Sequence, residues 1–123
     1  MDEIENIKDH LIEQIEKDKT NHKLIYTTYA YNFDREPIQI IFDQEKSVYT
    51  DEGYTLWYFK NKYDLPQEAL KLVEKIAKTY NVTIINDELI VLPNDPATKN
   101  YNELIRLINC IIAINTIEVI VSA

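Results

Sequence analysis

At 123 residues the chain has the length of one domain, and with 46 % hydrophobic residues it holds enough apolar material for a core without disulfides or a structural metal. Its formal net charge is −8, which repels phosphate backbones and anionic lipids and so argues against nucleic acid or a membrane surface as a direct partner. One glycine, Gly53, excludes the glycine-rich phosphate loop and the nucleophile elbow, and one cysteine, Cys110, excludes an internal disulfide or a cysteine-rich zinc site.

Ile4, Ile7, Leu11, Ile12 and Ile15 recur at steps of three and four. That spacing predicts an amphipathic helix over Asp2 to Lys17, within an N-terminal segment 1–20. Its other face carries Glu5, Asp9, Glu13 and Glu16. His10 falls between the two faces and His22 lies beyond the helix end; neither has the helix-face spacing of a metal pair, and both read as surface residues. The acidic N-terminus lacks the basic-then-apolar pattern of a signal peptide. No segment reaches the roughly 18 uninterrupted apolar residues of a membrane span. The expected location is the cytoplasm, with no membrane partner.

The body, residues 24–121, reads as α+β. Leu24 to Tyr31 is rich in Tyr, Thr and Ile and predicts a strand. Asn32 to Pro37 is a turn, Ile38 to Phe42 a second strand, and Asp43-Gln44-Glu45 a short link to a third, Lys46 to Thr50. Short polar loops between strands favour an antiparallel meander. After Gly53, Tyr54 to Asn61 predicts a helix capped by Thr55, with Trp57 and Phe59 facing the core. Tyr29, Tyr31 and Tyr58 suit either the core or a partner surface.

Pro66 suits the first turn of the next helix. Its apolar stripe is Leu70, Val73, Ile76, Ala77 and Tyr80, and Asn81 is its stop. Val82 to Leu92 is a hairpin around Asn86-Asp87, two residues that tolerate positive φ. Pro93 to Pro96 breaks the sheet. A last helix, from Thr98 to Ile114 or beyond, is apolar on more than one face, which suits a central core helix or a dimer seam. Ile117 to Val121 extends that helix or forms a final strand. The expected fold is a single α+β domain over 1–123, an antiparallel sheet of about five strands packed by three or four helices.

The acids around the strand ends (Asp34, Glu36, Asp43, Asp51 and Glu52) offer the best chemistry. A metal-dependent nuclease draws acids and a lysine from such positions, here Asp43 and Glu52 with Lys46. Turn residues carrying ordinary solvated carboxylates explain them equally, and a polyanionic substrate is mismatched to this charge. No catalytic set, cofactor or metal is expected. Gly53 reads as a strand-to-helix turn that aims Asp51 and Glu52 outward, and Cys110 as an inert core thiol.

Ile38-Gln39-Ile40-Ile41-Phe42, Tyr49-Thr50-Asp51-Glu52-Gly53-Tyr54-Thr55-Leu56, the Tyr80-Asn81-Val82 step, Asn86-Asp87-Glu88-Leu89-Ile90-Val91 and Leu104-Ile105-Arg106-Leu107-Ile108-Asn109 follow one another in an order that resembles the Domain of Unknown Function 1828 of bacterial and phage proteins. The resemblance runs from Tyr29 to Ile117. It implies a mobile-element setting in a bacterial host cell and supplies neither an activity nor catalytic residues. A second domain often follows in that family, whereas this sequence stops at Ala123.

The expected function is therefore a non-enzymatic protein-binding module, an inhibitor encoded by a phage or mobile element. Its partner would be a host protein that handles nucleic acid, of the kind blocked by anti-CRISPR or anti-restriction proteins, met through an acidic surface. Two surfaces are candidates: Glu5, Asp9, Glu13 and Glu16 on the first helix, or Tyr29, Tyr31, Asp34, Glu36, Asp51, Glu52 and Tyr54 around the strand loops. A homodimer is compatible with the last helix. The alternatives are the metal-dependent nuclease and a structural or oligomeric phage component.

Overall fold

The computed structural model describes residues 11–32, 34–62, 67–92 and 102–117. In chain order these form β1 (Ile12–Asp18), β2 (Lys23–Tyr31), β3 (Pro37–Asp43), β4 (Val48–Thr50), α1 (Tyr54–Lys62), α2 (Gln67–Thr79), β5 (Thr83–Ile85), β6 (Glu88–Val91) and α3 (Asn102–Asn115). The strands make one six-stranded sheet in the order β1-β2-β3-β4-β6-β5, with every neighbouring pair antiparallel. The fold is α+β, as expected, with the meander intact.

The sixth strand is the main correction. Ile12 and Ile15 belong to a strand, where a helix ending at Lys17 was expected. A spacing of three places two side chains on opposite faces of a regular strand. Here the register slips between Ile12 and Gln14, so Ile12 lies opposite Thr28 and Ile15 opposite Tyr26. The extra residue of this bulge returns both isoleucines to one face, and a three-residue step then imitates helical periodicity. The rest of the expected helix, with Glu5, Asp9 and His10, lies outside the described residues. The third strand is also shorter than expected, because Glu45 and Lys46 belong to a turn whose amides bond the Asp43 carboxylate at 3.0 and 3.1 Å.

Several turns follow the sequence closely. Asn86 and Asp87 have φ of 51° and 65°, the pair of positive values that a two-residue type I′ hairpin needs. Asn81, at φ 56°, ends α2. Beside it the Val82 amide bonds the Ala77 carbonyl at 2.8 Å and the Asn81 amide bonds the Lys78 carbonyl at 3.1 Å, which is the Schellman arrangement.

One face of the sheet and the three helices share the core. Tyr26, Ile38, Ile40, Leu89 and Val91 from the strands pack with Leu56 and Phe59 of α1, Val73 and Ala77 of α2, and α3. On α3, Leu104, Leu107, Ile108, Ile111 and Ile114 are almost completely buried. The central core position expected of this helix is what it occupies, and its apolar residues are largely used within the chain, with Ile112 left exposed. Ile117 is buried beyond it; residues 118–121, on which the choice between helix and strand turned, lie outside the described residues.

Candidate functional site

The Asp51-Glu52-Gly53 turn sends its two acids in opposite directions. Asp51 follows β4 directly and is only 5 % exposed. Its Oδ1 accepts the Gly53 amide at 2.8 Å and the Leu89 amide at 3.0 Å, and its Oδ2 accepts the Thr55 amide at 3.1 Å. The Asp51 amide in turn donates to the Leu89 carbonyl at 3.2 Å. One side chain thus ties β4, the start of α1 and β6 together. Asp51 supplies the helix cap expected of Thr55, which is itself buried. Burial pushes the Asp51 carboxyl above the ordinary aspartate range, against the pull of its hydrogen bonds from Gly53, Thr55 and Leu89. The expectation that Asp51 points outward to a partner is therefore corrected: it is a fastening inside the fold.

Glu52, at φ 54°, does point outward, and its carboxylate pairs with Lys23 at 2.9 Å. Gly53 follows at φ 82°, so two consecutive left-handed residues reverse the chain between strand and helix. A Cβ at Gly53 would meet nothing nearer than the Asp87 carbonyl oxygen at 3.8 Å, an ordinary contact; backbone conformation, not space, is what calls for glycine here.

This turn borders a groove of about 900 Å³. The β2–β3 loop (Asn32, Glu36), the start of β3 (Pro37), α1 (Tyr54, Trp57, Asn61) and the β5–β6 hairpin (Asn86, Asp87) line it. Its apolar surface includes Ile38, Ile41 and Ile111, and its polar groups are mainly amides and carboxylates. Asp34 shapes one margin. Its Oδ1 accepts the Glu36 amide at 2.9 Å, and its Oδ2 accepts the Tyr54 hydroxyl. Burial, then the Asp34 hydrogen bond and charge, with Tyr58 and Glu36 adding to them, push the Tyr54 phenol up to about 12. Lys60 is held by Asp87 at 2.7 Å on the opposite margin.

Trp57 was expected in the core and is 58 % exposed. The helical phase explains the difference: Thr55, Leu56 and Phe59 take the inner face of α1, which leaves Tyr54 and Trp57 outside, with Tyr58 half-buried against the edge of the core. Tyr54 and Trp57 lie 5.8 Å apart between ring centroids, and Tyr54 and Tyr58 stack at 6.3 Å. Lys62 donates to the Tyr58 hydroxyl at 2.8 Å and sits 5.2 Å over that ring. Phe59, 2 % exposed, is in the core as expected.

The sequence-derived residues thus divide. Asp34, Glu36, Glu52 and Tyr54 gather around the groove, joined by Trp57, which had been assigned inward. Tyr29 and Tyr31 are exposed on β2, and Glu13 and Glu16 are exposed on β1. Among the described residues, no three His, Cys, Asp or Glu side chains converge as a metal centre would require. Within the nuclease set, Asp43 is bound to its own turn and Glu52 to Lys23. Cys110 is fully buried, and burial, with a lesser contribution from the Asp51 charge, pushes its thiol up to about 12. No helix among the described residues is long and apolar enough to cross a membrane. No family model, curated protein or solved structure matches this chain.

Proposed function

We propose that the chain is a non-enzymatic protein-binding module whose contact surface is the groove beside α1, and that its partner is a host protein that handles nucleic acid. The observation that carries this reading is the exposed indole of Trp57, set 5.8 Å from the Tyr54 ring in a tilted pair at the edge of an apolar groove with carboxylates on its margins. Large aromatic side chains held outside a core are the residues from which interface anchors are made. The net charge of −8 complements a basic surface built for phosphates. The resemblance to the bacterial and phage domain family supports a mobile-element setting, and within it an inhibitor of anti-CRISPR or anti-restriction type.

The test is capture from nuclease-treated bacterial lysate on the immobilised chain and on its Tyr54→Ala/Trp57→Ala double variant. Retention of nucleic-acid-handling proteins at low salt, their release at about 0.5 M salt and their loss on the double variant are the expected results. Retention indifferent to both salt and the double substitution overturns the reading. So does magnesium-dependent cleavage of DNA or RNA by the purified chain, which favours the nuclease instead.

A further inference from the structure

We infer that the groove takes an arginine side chain of a protein partner, with the guanidinium stacked on Trp57 and paired with Glu36. This rests on the protein-binding reading above and names the chemistry of the group that is bound. The lysines of α1 are already engaged: Lys60 with Asp87 at 2.7 Å, and Lys62 over the Tyr58 ring at 5.2 Å. Among the described residues no such cation sits on the Trp57 ring, and none pairs with the Glu36 carboxylate. Both line the same groove. Tyr54 is held beside Trp57 by its hydrogen bond to Asp34, so the aromatic wall is positioned before any partner arrives.

A cation is the favoured occupant because Asp34 and Glu36 place two carboxylates at this margin, the first bonded to the Tyr54 hydroxyl and the second lining the groove; their charge adds to burial, the larger cause, in keeping the Tyr54 phenol protonated into the alkaline range. Arginine is favoured over lysine on geometry. Its planar, weakly hydrated guanidinium stacks on an indole face while its edge presents paired N–H donors to a carboxylate. An ammonium is a strongly hydrated point charge that does one or the other. Arginine is also the residue with which proteins most often grip phosphate in two-point fashion, which is the property expected of a nucleic-acid-handling partner.

The chain contains one tryptophan, so its fluorescence reports this site directly. Three short peptides identical but for two arginines, two lysines or two citrullines are titrated into the full chain. The expected result is that the arginine peptide perturbs Trp57 and binds about tenfold more tightly than the lysine peptide, with the citrulline peptide weaker still. Glu36→Gln, a substitution at an exposed loop position, weakens the arginine peptide about tenfold and leaves the thermal midpoint unchanged. Trp57→Ala, followed through the Asn61 side-chain amide signals, removes that preference. Equal affinity for arginine and lysine overturns the guanidinium inference and leaves an acidic protein-binding face standing. Citrulline bound as tightly as arginine overturns the charge argument of both readings. An arginine peptide that fails to bind, or one insensitive to Glu36→Gln, overturns this inference alone.

Discussion

The Asp51 carboxylate bonds the Leu89 amide at 3.0 Å across 38 positions of sequence, and the same side chain holds the Gly53 and Thr55 amides. Removing it strands three backbone donors around a buried position and deletes a helix cap. Asp51→Ala is expected to destabilise the fold by about 3 kcal/mol or more, read as a shift of the urea midpoint. A loss under about 1 kcal/mol would mean that water replaces the carboxylate without difficulty. The variant is consequently a poor probe of catalysis, since any lost activity would report unfolding.

The same residue sets a pH dependence. Burial raises its folded pKa above the ordinary aspartate value of 3.8, so between the two the folded state binds a proton more tightly than the unfolded chain. Stability from this residue therefore increases as pH falls through the folded pKa, and levels off below the unfolded value. The measurement is the urea midpoint of the wild type relative to Asp51→Asn across acid pH, with carbon NMR following the Asp51 carboxyl. The wild type should gain on the variant as acid is added; a carboxyl titrating below 3.8 would reverse the sign.

Gly53→Ala tests the turn. The added methyl has room, so the cost comes from holding alanine at φ 82°. About 1–2 kcal/mol of destabilisation is expected, with the groove and α1 otherwise retained. An unchanged urea midpoint would show that the turn relaxes to another conformation.

Neighbours on α1 should behave oppositely. Phe59→Ala empties a core position and is expected to cost about 3–5 kcal/mol. Trp57→Ala changes stability by no more than about 0.5 kcal/mol, as surface positions do. Thermal or urea unfolding of both variants, followed by circular dichroism, makes the comparison. A large loss for Trp57→Ala would turn the indole into a packing residue and remove the main support for the proposed interface.

The parts legible in the sequence were those whose chemistry is local. Asn86-Asp87 and Asn81 announced their turns because left-handed backbone selects such residues within a few positions. The β-branched runs announced strands, and α3 announced its burial through apolar residues on more than one face. Three features depended on distant partners. The strand at Ile12 was hidden by a bulge that only its pairing with β2 explains. Asp51 read as a solvated turn acid, because nothing adjacent in sequence shows that the Leu89 amide lies beside it. Trp57 sits in an aromatic run that supports either helical phase, and the choice was made by the packing of Leu56 and Phe59. Glu36 and Tyr54 were singled out from the sequence and both line the groove; that groove, which joins them to Trp57, exists only once the β2–β3 loop meets α1.

The bulge in β1 bears on how copies of the chain treat one another. β1 is outermost in the described sheet, and an outer strand is a template for pairing with another molecule. Here that template is interrupted at Glu13 and bears a second exposed acid at Glu16. Two like-charged, irregular borders approaching each other meet repulsion and mismatched register together. Part of the chain's acidity thus works against the pairing of two copies through this border.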